Sequence, residues 1–249
     1  MRRKYIILLV LCFFVCTIKG QIKKSKVDSI FNQYKVELPQ TSTAYKFFKD
    51  SLSNINIDSK EKFYSFLWKN RIVPIFGIMD DYSCKIIGDL ILLYYKENQQ
   101  KGISIIINSI GGSLVSTLGI YDLIYMIGDD CEISTYAYGV AASAAAILLV
   151  AGNKDKRIAD PCARILIHSP RLGEHKEIKE CEDTIDINKD LTSFKKEVYQ
   201  IIGERTGHTI GEIQNYCEKE TWFAAQEALD FGIINKTCTW TEYSKSFVP

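Results

Sequence analysis

The chain predicts an α/β fold of stacked strand–helix units around a parallel sheet. Three observations carry that expectation. Short apolar runs at residues 72–76, 103–107 and 131–137 have the length and residue types of buried strands. Each run is followed by a segment whose apolar residues recur at helical spacing. This alternation occurs three times in succession, the pattern of βα units on a parallel sheet. With 249 residues, 47% hydrophobic and 24% charged, the composition is that of one large domain, or a domain with appendages, that buries a real core.

The N-terminus is of another kind. Arg2-Arg3-Lys4 precedes an apolar run over residues 5–15, and small residues near Gly20 offer a cleavage point. Residues 1–20 therefore read as a signal peptide, with a signal anchor as the alternative that the short run disfavours. Residues 21–60 carry Lys23, Lys24, Lys26, Lys35, Lys46 and Lys49 among Ser, Thr and Asn, without clear periodicity. They are expected to be a disordered extension, or a transit peptide behind the signal peptide. The latter arrangement resembles the bipartite leaders that target a secondary plastid, so an organellar, apicoplast-like destination is one expectation. The secretory pathway is the alternative if cleavage after Gly20 is the only processing. The packed domain is expected over residues 61–249.

The first strand, residues 72–76, ends at Gly77. Asp80-Asp81 cap a helix with Ile86, Ile87, Leu90, Ile91 and Leu93 on one face. The second strand runs into Asn108-Ser109-Ile110-Gly111-Gly112, and Leu114, Leu118, Tyr121, Ile124 and Ile127 mark the next helix. The third strand leads to Gly139 and a run of small and apolar residues up to Gly152 that surrounds a single hydroxyl, Ser143. After Arg157-Ile158, residues 164–167 form a strand that delivers His168. Residues 176–203 are long and highly charged, with only a partial stripe of Ile178, Ile185, Ile187, Leu191 and Phe194, and are expected to project as a helix and pair with another copy. Thr206-Gly207 ends that helix. A short helix over residues 210–217, a segment from Glu218–Trp222 into residues 224–230 and a closing strand Gly232-Ile233-Ile234 complete the reading.

Charge and cysteine use narrow the function. Lys+Arg 31 against Asp+Glu 30 leaves a net charge of +1, which gives no nucleic-acid surface. The eight cysteines form no Cys-x-x-Cys and no Cys/His cluster, so no metal site is expected, and they read as free thiols rather than a disulfide framework. Ser143, placed at a strand-to-helix turn, is either a packing serine or a hydroxyl held out for chemistry. A serine nucleophile needs a neutral imidazole to take its proton. Of three histidines, His175 and His208 read as solvated or capping, whereas His168 ends a buried strand, where active-site groups of α/β folds gather. Gly111-Gly112 is either an ordinary tight turn or a backbone surface for an oxyanion. For a third, orienting carboxylate, Asp122, Asp160, Asp183, Glu218 and Glu220 are all available.

The order of these pieces resembles a known family. Residues 107–112 (Ile-Asn-Ser-Ile-Gly-Gly) and Gly119-Ile120-Tyr121-Asp122 come first. Gly139-Val140-Ala141-Ala142-Ser143, Leu148-Leu149-Val150-Ala151-Gly152 and Ile167-His168-Ser169-Pro170 follow. Residues 222–228 (Trp-Phe-Ala-Ala-Gln-Glu-Ala) with Phe231-Gly232-Ile233-Ile234 end the series. Over some 180 residues they are similar to the proteolytic subunits of the Clp protease. That resemblance implies a crotonase-like α/β protomer with a projecting handle helix, assembled with itself or related subunits into heptameric rings stacked face to face. It implies a serine endopeptidase with Ser143 as nucleophile and His168 as general base. The backbone N–H groups of Gly112 and Ala144 line the oxyanion hole in this reading. A Clp-family AAA+ ATPase is the implied partner; it unfolds protein substrates and uses the ATP, and this chain needs no cofactor of its own. Where the family has aspartate, this chain has Glu220, with Glu218 as an alternative register. Ile110 stands for the usual Pro, Ala144 for the usual Met, and the segment after Pro170 lacks the family's glycine pair. A catalytically weak, structural subunit of a mixed ring is the alternative function. An acyl-CoA hydratase or isomerase of the wider fold is a more distant one.

Overall fold

The computed structural model describes residues 57–171 and 184–247, with backbone alone for residues 57–62 and 184–190. The chain divides into two compact units, Met1–Lys69 and Asn70–Pro249. The described part of the first is one helix, α1 (Ile57–Lys69).

The second unit is built from strand–helix pairs. Strand β1 (Ile72–Met79) leads to helix α2 (Asp81–Glu97), β2 (Ile103–Gly112) to α3 (Leu114–Ile127), and β3 (Ile133–Ala142) to α4 (Ala144–Ala151). Strands β4 (Arg157–Ala159) and β5 (Arg164–Ile167) follow, then helices α5 (Thr184–Thr206) and α6 (Ile210–Glu218). Strand β6 (Thr221–Ala224), helix α7 (Ala225–Asp230), strand β7 (Lys236–Thr237) and helix α8 (Trp240–Ser244) close the chain. The sheet runs β1-β2-β3-β4-β7, all parallel; β5 also pairs parallel with β3, and β6 antiparallel with β5. This is the expected α/β architecture.

Local chemistry accounts for the elements. Asp80 begins α2 with a reciprocal cap: the Ser83 N–H donates to the Asp80 carboxylate at 2.7 Å, and the Asp80 N–H to the Ser83 hydroxyl at 2.9 Å. Ile103, Ile105, Ile106 and Ile107 of β2 are all at most 4% exposed, because a central parallel strand is covered on both faces. Each such burial contributes about 1.5–3 kcal/mol. Arg71 is buried beside this core and donates to the carbonyls of Gly102 (3.1 Å), Asn98 (2.9 Å) and Tyr94, and to Glu97 (3.1 Å), so its charge is matched on every side.

Strand β3 changes partner part-way. Thr135–Ala137 pair with β4, and Val140–Ala142 with β5. Between them the register against β2 slips, from Ile107↔Ala137 to Ser109↔Ala141. Gly139 sits in this bulge at φ +65, and its missing Cβ leaves room for the Asn108 carboxamide oxygen, which a Cβ would approach to 2.8 Å. A bulge re-aims the strand end. Here it carries residues 140–142 onto β5.

Three details differ from the sequence expectation. Gly232-Ile233-Ile234 is not a strand: Gly232 turns at φ +86, and the N–H groups of Ile233 and Ile234 both donate to Ala228 at the end of α7 (2.9 and 3.3 Å). Those donors serve the helix terminus, so the sheet is closed by β7 instead. The charged helix is not polar throughout. Val198, Tyr199, Ile201 and Ile202 in the latter half of α5 are core residues, at most 7% exposed, so that half packs on the domain instead of projecting. The third strand runs on past its expected end at residue 137 to Ala142, so that Ser143 follows it directly.

Candidate active site

Ser143 occupies the residue between β3 and α4. Its amide donates to the Leu166 carbonyl of β5 at 2.9 Å, and its own carbonyl accepts from Ala146 at 2.9 Å. The backbone is held at φ +58, ψ −126, a conformation that costs a non-glycine residue on the order of 1–3 kcal/mol. Serine at a helix start ordinarily turns its oxygen back to cap the first turn. Ser143 makes no such bond, so its hydroxyl is not consumed by the helix. The first turn of α4 also leaves backbone N–H groups without intrahelical acceptors, beginning with Ala144.

The glycine pair at the end of β2 abuts this turn. A Cβ on Gly111 (φ +90) would lie 2.6 Å from the Ala142 oxygen and 2.9 Å from both the Ala144 nitrogen and the Ser143 Cβ. On Gly112 it would lie 2.0 Å from the Met79 oxygen. Only glycine lets these backbones approach so closely. Ser109 organises the same corner: its hydroxyl donates to the Gly77 carbonyl and accepts from the Gly111 N–H at 3.0 Å.

His168 follows β5 directly. Because Val140, Ala141 and Ala142 pair in register with Arg164, Ile165 and Leu166, Ser143 and His168 emerge from the carboxyl ends of adjacent parallel strands. Both line one cleft of about 100 Å³ with Leu114, Ala144, Ile147, Val198 and Arg171. The loop after His168 is fixed by Ser169, whose amide donates to the Cys217 carbonyl (3.0 Å) and whose hydroxyl bonds the Tyr199 hydroxyl (2.7 Å). Burial, then the nearby Arg171 charge, lowers the His168 pKa from its ordinary value, and a backbone hydrogen bond at Ser169 opposes them. The neutral imidazole is therefore favoured. Its Nδ1 is buried and has no hydrogen-bond partner.

Glu220 adjoins the same end of the β5–β6 ladder as His168, but its carboxylate is engaged by another residue. The antiparallel β5–β6 ladder ends at Ile167 facing Thr221, so His168 and Glu220 flank its end, with Glu220 in a turn at φ +52. Yet the Glu220 carboxylate is ion-paired with Arg171 at the protein surface. Glu218 is exposed and accepts from Gln214 at 2.8 Å. Asp122 is exposed, Asp160 accepts from the Tyr136 hydroxyl (3.2 Å) and the Cys162 amide (3.0 Å), and Asp183 lies outside the described residues. His208 stacks on Phe231 with ring centroids 4.1 Å apart, and His175 lies outside the described residues. Ser143, His168 and Ala144 thus line one cleft, with Gly111 against the serine turn and Gly112 packed on Met79, while the carboxylate that the resemblance adds is ion-paired with Arg171 and leaves the imidazole Nδ1 without a partner. Sequence reasoning had no reason to single out Arg171 or Tyr199: Arg171 is far from Glu220 along the chain, and Tyr199 far from Ser169, and only the fold brings each pair together.

Comparison with known proteins places this geometry. Residues 56–240 match the family model of the Clp protease. Over 173 residues the chain is 36% identical to the ATP-dependent Clp protease proteolytic subunit of Porphyromonas gingivalis, covering 70% of this chain and 76% of the relative. It is equally similar to the subunit of the same name from Bacteroides fragilis strain ATCC 25285, at 70% and 81% coverage. With the ATP-dependent Clp protease proteolytic subunit 2 of Corynebacterium glutamicum it shares 36% over 176 residues, at 71% and 85% coverage. A peptidase is the class these matches define on this fold. The chain belongs to the Clp protease family, among its proteolytic subunits.

Proposed function

We propose that this subunit is a serine-type endopeptidase that cleaves unfolded polypeptides inside a ring chamber, with Ser143 as nucleophile and His168 as general base. The observation that carries the reading is the strained Ser143 backbone with its hydroxyl unused by the helix, in one cleft with His168. The Ser143 Oγ attacks the scissile carbonyl carbon while His168 Nε2 takes the hydroxyl proton. The oxygen of the tetrahedral intermediate is met by the N–H groups of Gly112 and Ala144. The C–N bond then breaks, the imidazolium returns its proton to the leaving amine, and an acyl-Ser143 ester remains. Water activated by the same imidazole hydrolyses the ester and regenerates the hydroxyl. Glu220 orients the imidazole through Nδ1 when it faces His168.

In the same reading the subunit assembles with itself or with related subunits into heptameric rings. A Clp-family AAA+ ATPase feeds it and hydrolyses the ATP, and the cleavage chemistry needs no cofactor in this chain. The leader of residues 1–60 fits delivery to a plastid-like organelle, which a fluorescent fusion of that segment tests directly. The functional test is hydrolysis of a fluorogenic peptide and of an unfolded polypeptide by wild type and Ser143→Ala at equal assembly state. Loss of on the order of 10³-fold or more in the variant supports the assignment. Unchanged hydrolysis overturns it.

A further inference from the structure

We propose that Arg171 is a positioning residue that withholds Glu220 from His168, so that the catalytic triad closes only when Arg171 releases the carboxylate. This rests on the assignment of Ser143 and His168 above. Three observations meet at one place. The β5–β6 ladder ends at the pair Ile167–Thr221, and His168 and Glu220 are the residues that flank this end on the two strands. The Glu220 carboxylate is nevertheless engaged by the Arg171 guanidinium, three residues beyond the histidine. The imidazole nitrogen that an orienting carboxylate would accept from, Nδ1, is buried and unpartnered. A buried polar atom without a partner is uncommon in folded proteins and carries a desolvation penalty. The carboxylate that the family resemblance assigns to that nitrogen adjoins the same ladder end and is held by another residue.

The two states differ little in stability, and this makes the contact a control point. Arg171 and Glu220 are 66% and 45% exposed, so their attraction is screened by water and worth little. While His168 is neutral, nothing strongly draws the carboxylate away from the guanidinium. When the imidazole gains the Ser143 proton, its positive charge competes with Arg171 for Glu220. Arg171 then opposes the reaction twice, by holding the carboxylate and by repelling the imidazolium across the cleft that both line. The other ionisable groups around this loop do not supply the missing acceptor. Glu218 is bonded to Gln214, the Tyr199 hydroxyl to Ser169, and the Cys217 thiol, pushed up to about 12 by burial, stays protonated.

The test compares rates of Ser143 labelling by a fluorophosphonate probe as a function of pH, on assembled wild type, Arg171→Gln, and Arg171→Gln combined with Glu220→Gln. Arg171 is exposed, so its substitution leaves the core intact. The expected result is labelling on the order of ten-fold faster in Arg171→Gln, with the acid midpoint moved to higher pH. The rate gain disappears in the double variant. Labelling in both proteins with Arg171→Gln no faster than wild type overturns the proposal while leaving Ser143 as nucleophile. A gain that persists without the Glu220 carboxylate overturns it as well. Labelling of none of the three proteins removes the Ser143 assignment itself, and this proposal with it.

Discussion

Replacing Gly111 by alanine tests whether the glycine pair of β2 builds the serine turn. The structure supplies both parts of the expected loss. Gly111 sits at φ +90, where a Cβ costs about 1–2 kcal/mol. The added carbon would also come within 2.6 Å of the Ala142 oxygen and 2.9 Å of the Ala144 nitrogen, both backbone atoms that move only if the β3–α4 turn moves. Overpacking against such neighbours costs a further 1–3 kcal/mol or so. The expected destabilisation is therefore about 2–5 kcal/mol, which for a unit of this size lowers Tm by roughly 5–20 °C. Calorimetry or thermal circular dichroism at fixed protein concentration reads it, and Ser143 labelling should fall in parallel because the turn has shifted. Gly119→Ala is the internal control. That glycine lies exposed on α3 with nothing within 4 Å of its Cβ position, so the helix gains up to about 1 kcal/mol. If Gly111→Ala changes stability by no more than this control, the argument that close backbone approach shapes the site fails.

Two further outcomes follow from the same corner. Ser143→Gly should unfold at higher temperature than wild type, by about 1–2 kcal/mol in stability, because glycine occupies φ +58 without strain and the hydroxyl caps nothing; the same variant should be inactive, and a less stable variant contradicts the strain. The pH dependence has a definite sign. Burial and Arg171 lower the folded pKa of His168, so the neutral base persists to lower pH than an ordinary imidazole, and the acid midpoint of Ser143 labelling should fall below about 6.5. By linkage, the unfolded chain protonates first as pH falls. This residue therefore leaves stability untouched above that value and diminishes it as pH drops toward the folded pKa. His168→Gln should flatten that part of the stability profile.

Much of the sheet was legible because β2 and β3 are dense apolar strands whose neighbours follow at helical spacing. Ser143 and His168 were legible for a related reason: each stands just past the end of such a strand, and β3–β5 pairing brings the two ends together. The state of Glu220 was not, since it lies in a turn at φ +52 just before β6 and its carboxylate is engaged by Arg171, distant in the chain. The burial of α5 was hidden by its charged beginning, the apolar residues Val198, Ile201 and Ile202 being crowded into its latter half. Helix α8 went unread because five residues carry no periodicity. Its place is fixed by Tyr243 stacking on Tyr136 at 4.4 Å, more than a hundred positions away in the chain.

The central claim is that the Ser143 hydroxyl is an activated nucleophile. Its most direct measurement is reaction of the purified, assembled protein with a fluorophosphonate probe, with the adduct located by mass spectrometry of its peptides. The account predicts one covalent adduct per reactive subunit, on Ser143, absent in His168→Gln and in heat-unfolded protein. An adduct on another residue, or none on Ser143 in wild type and Arg171→Gln alike, would contradict it.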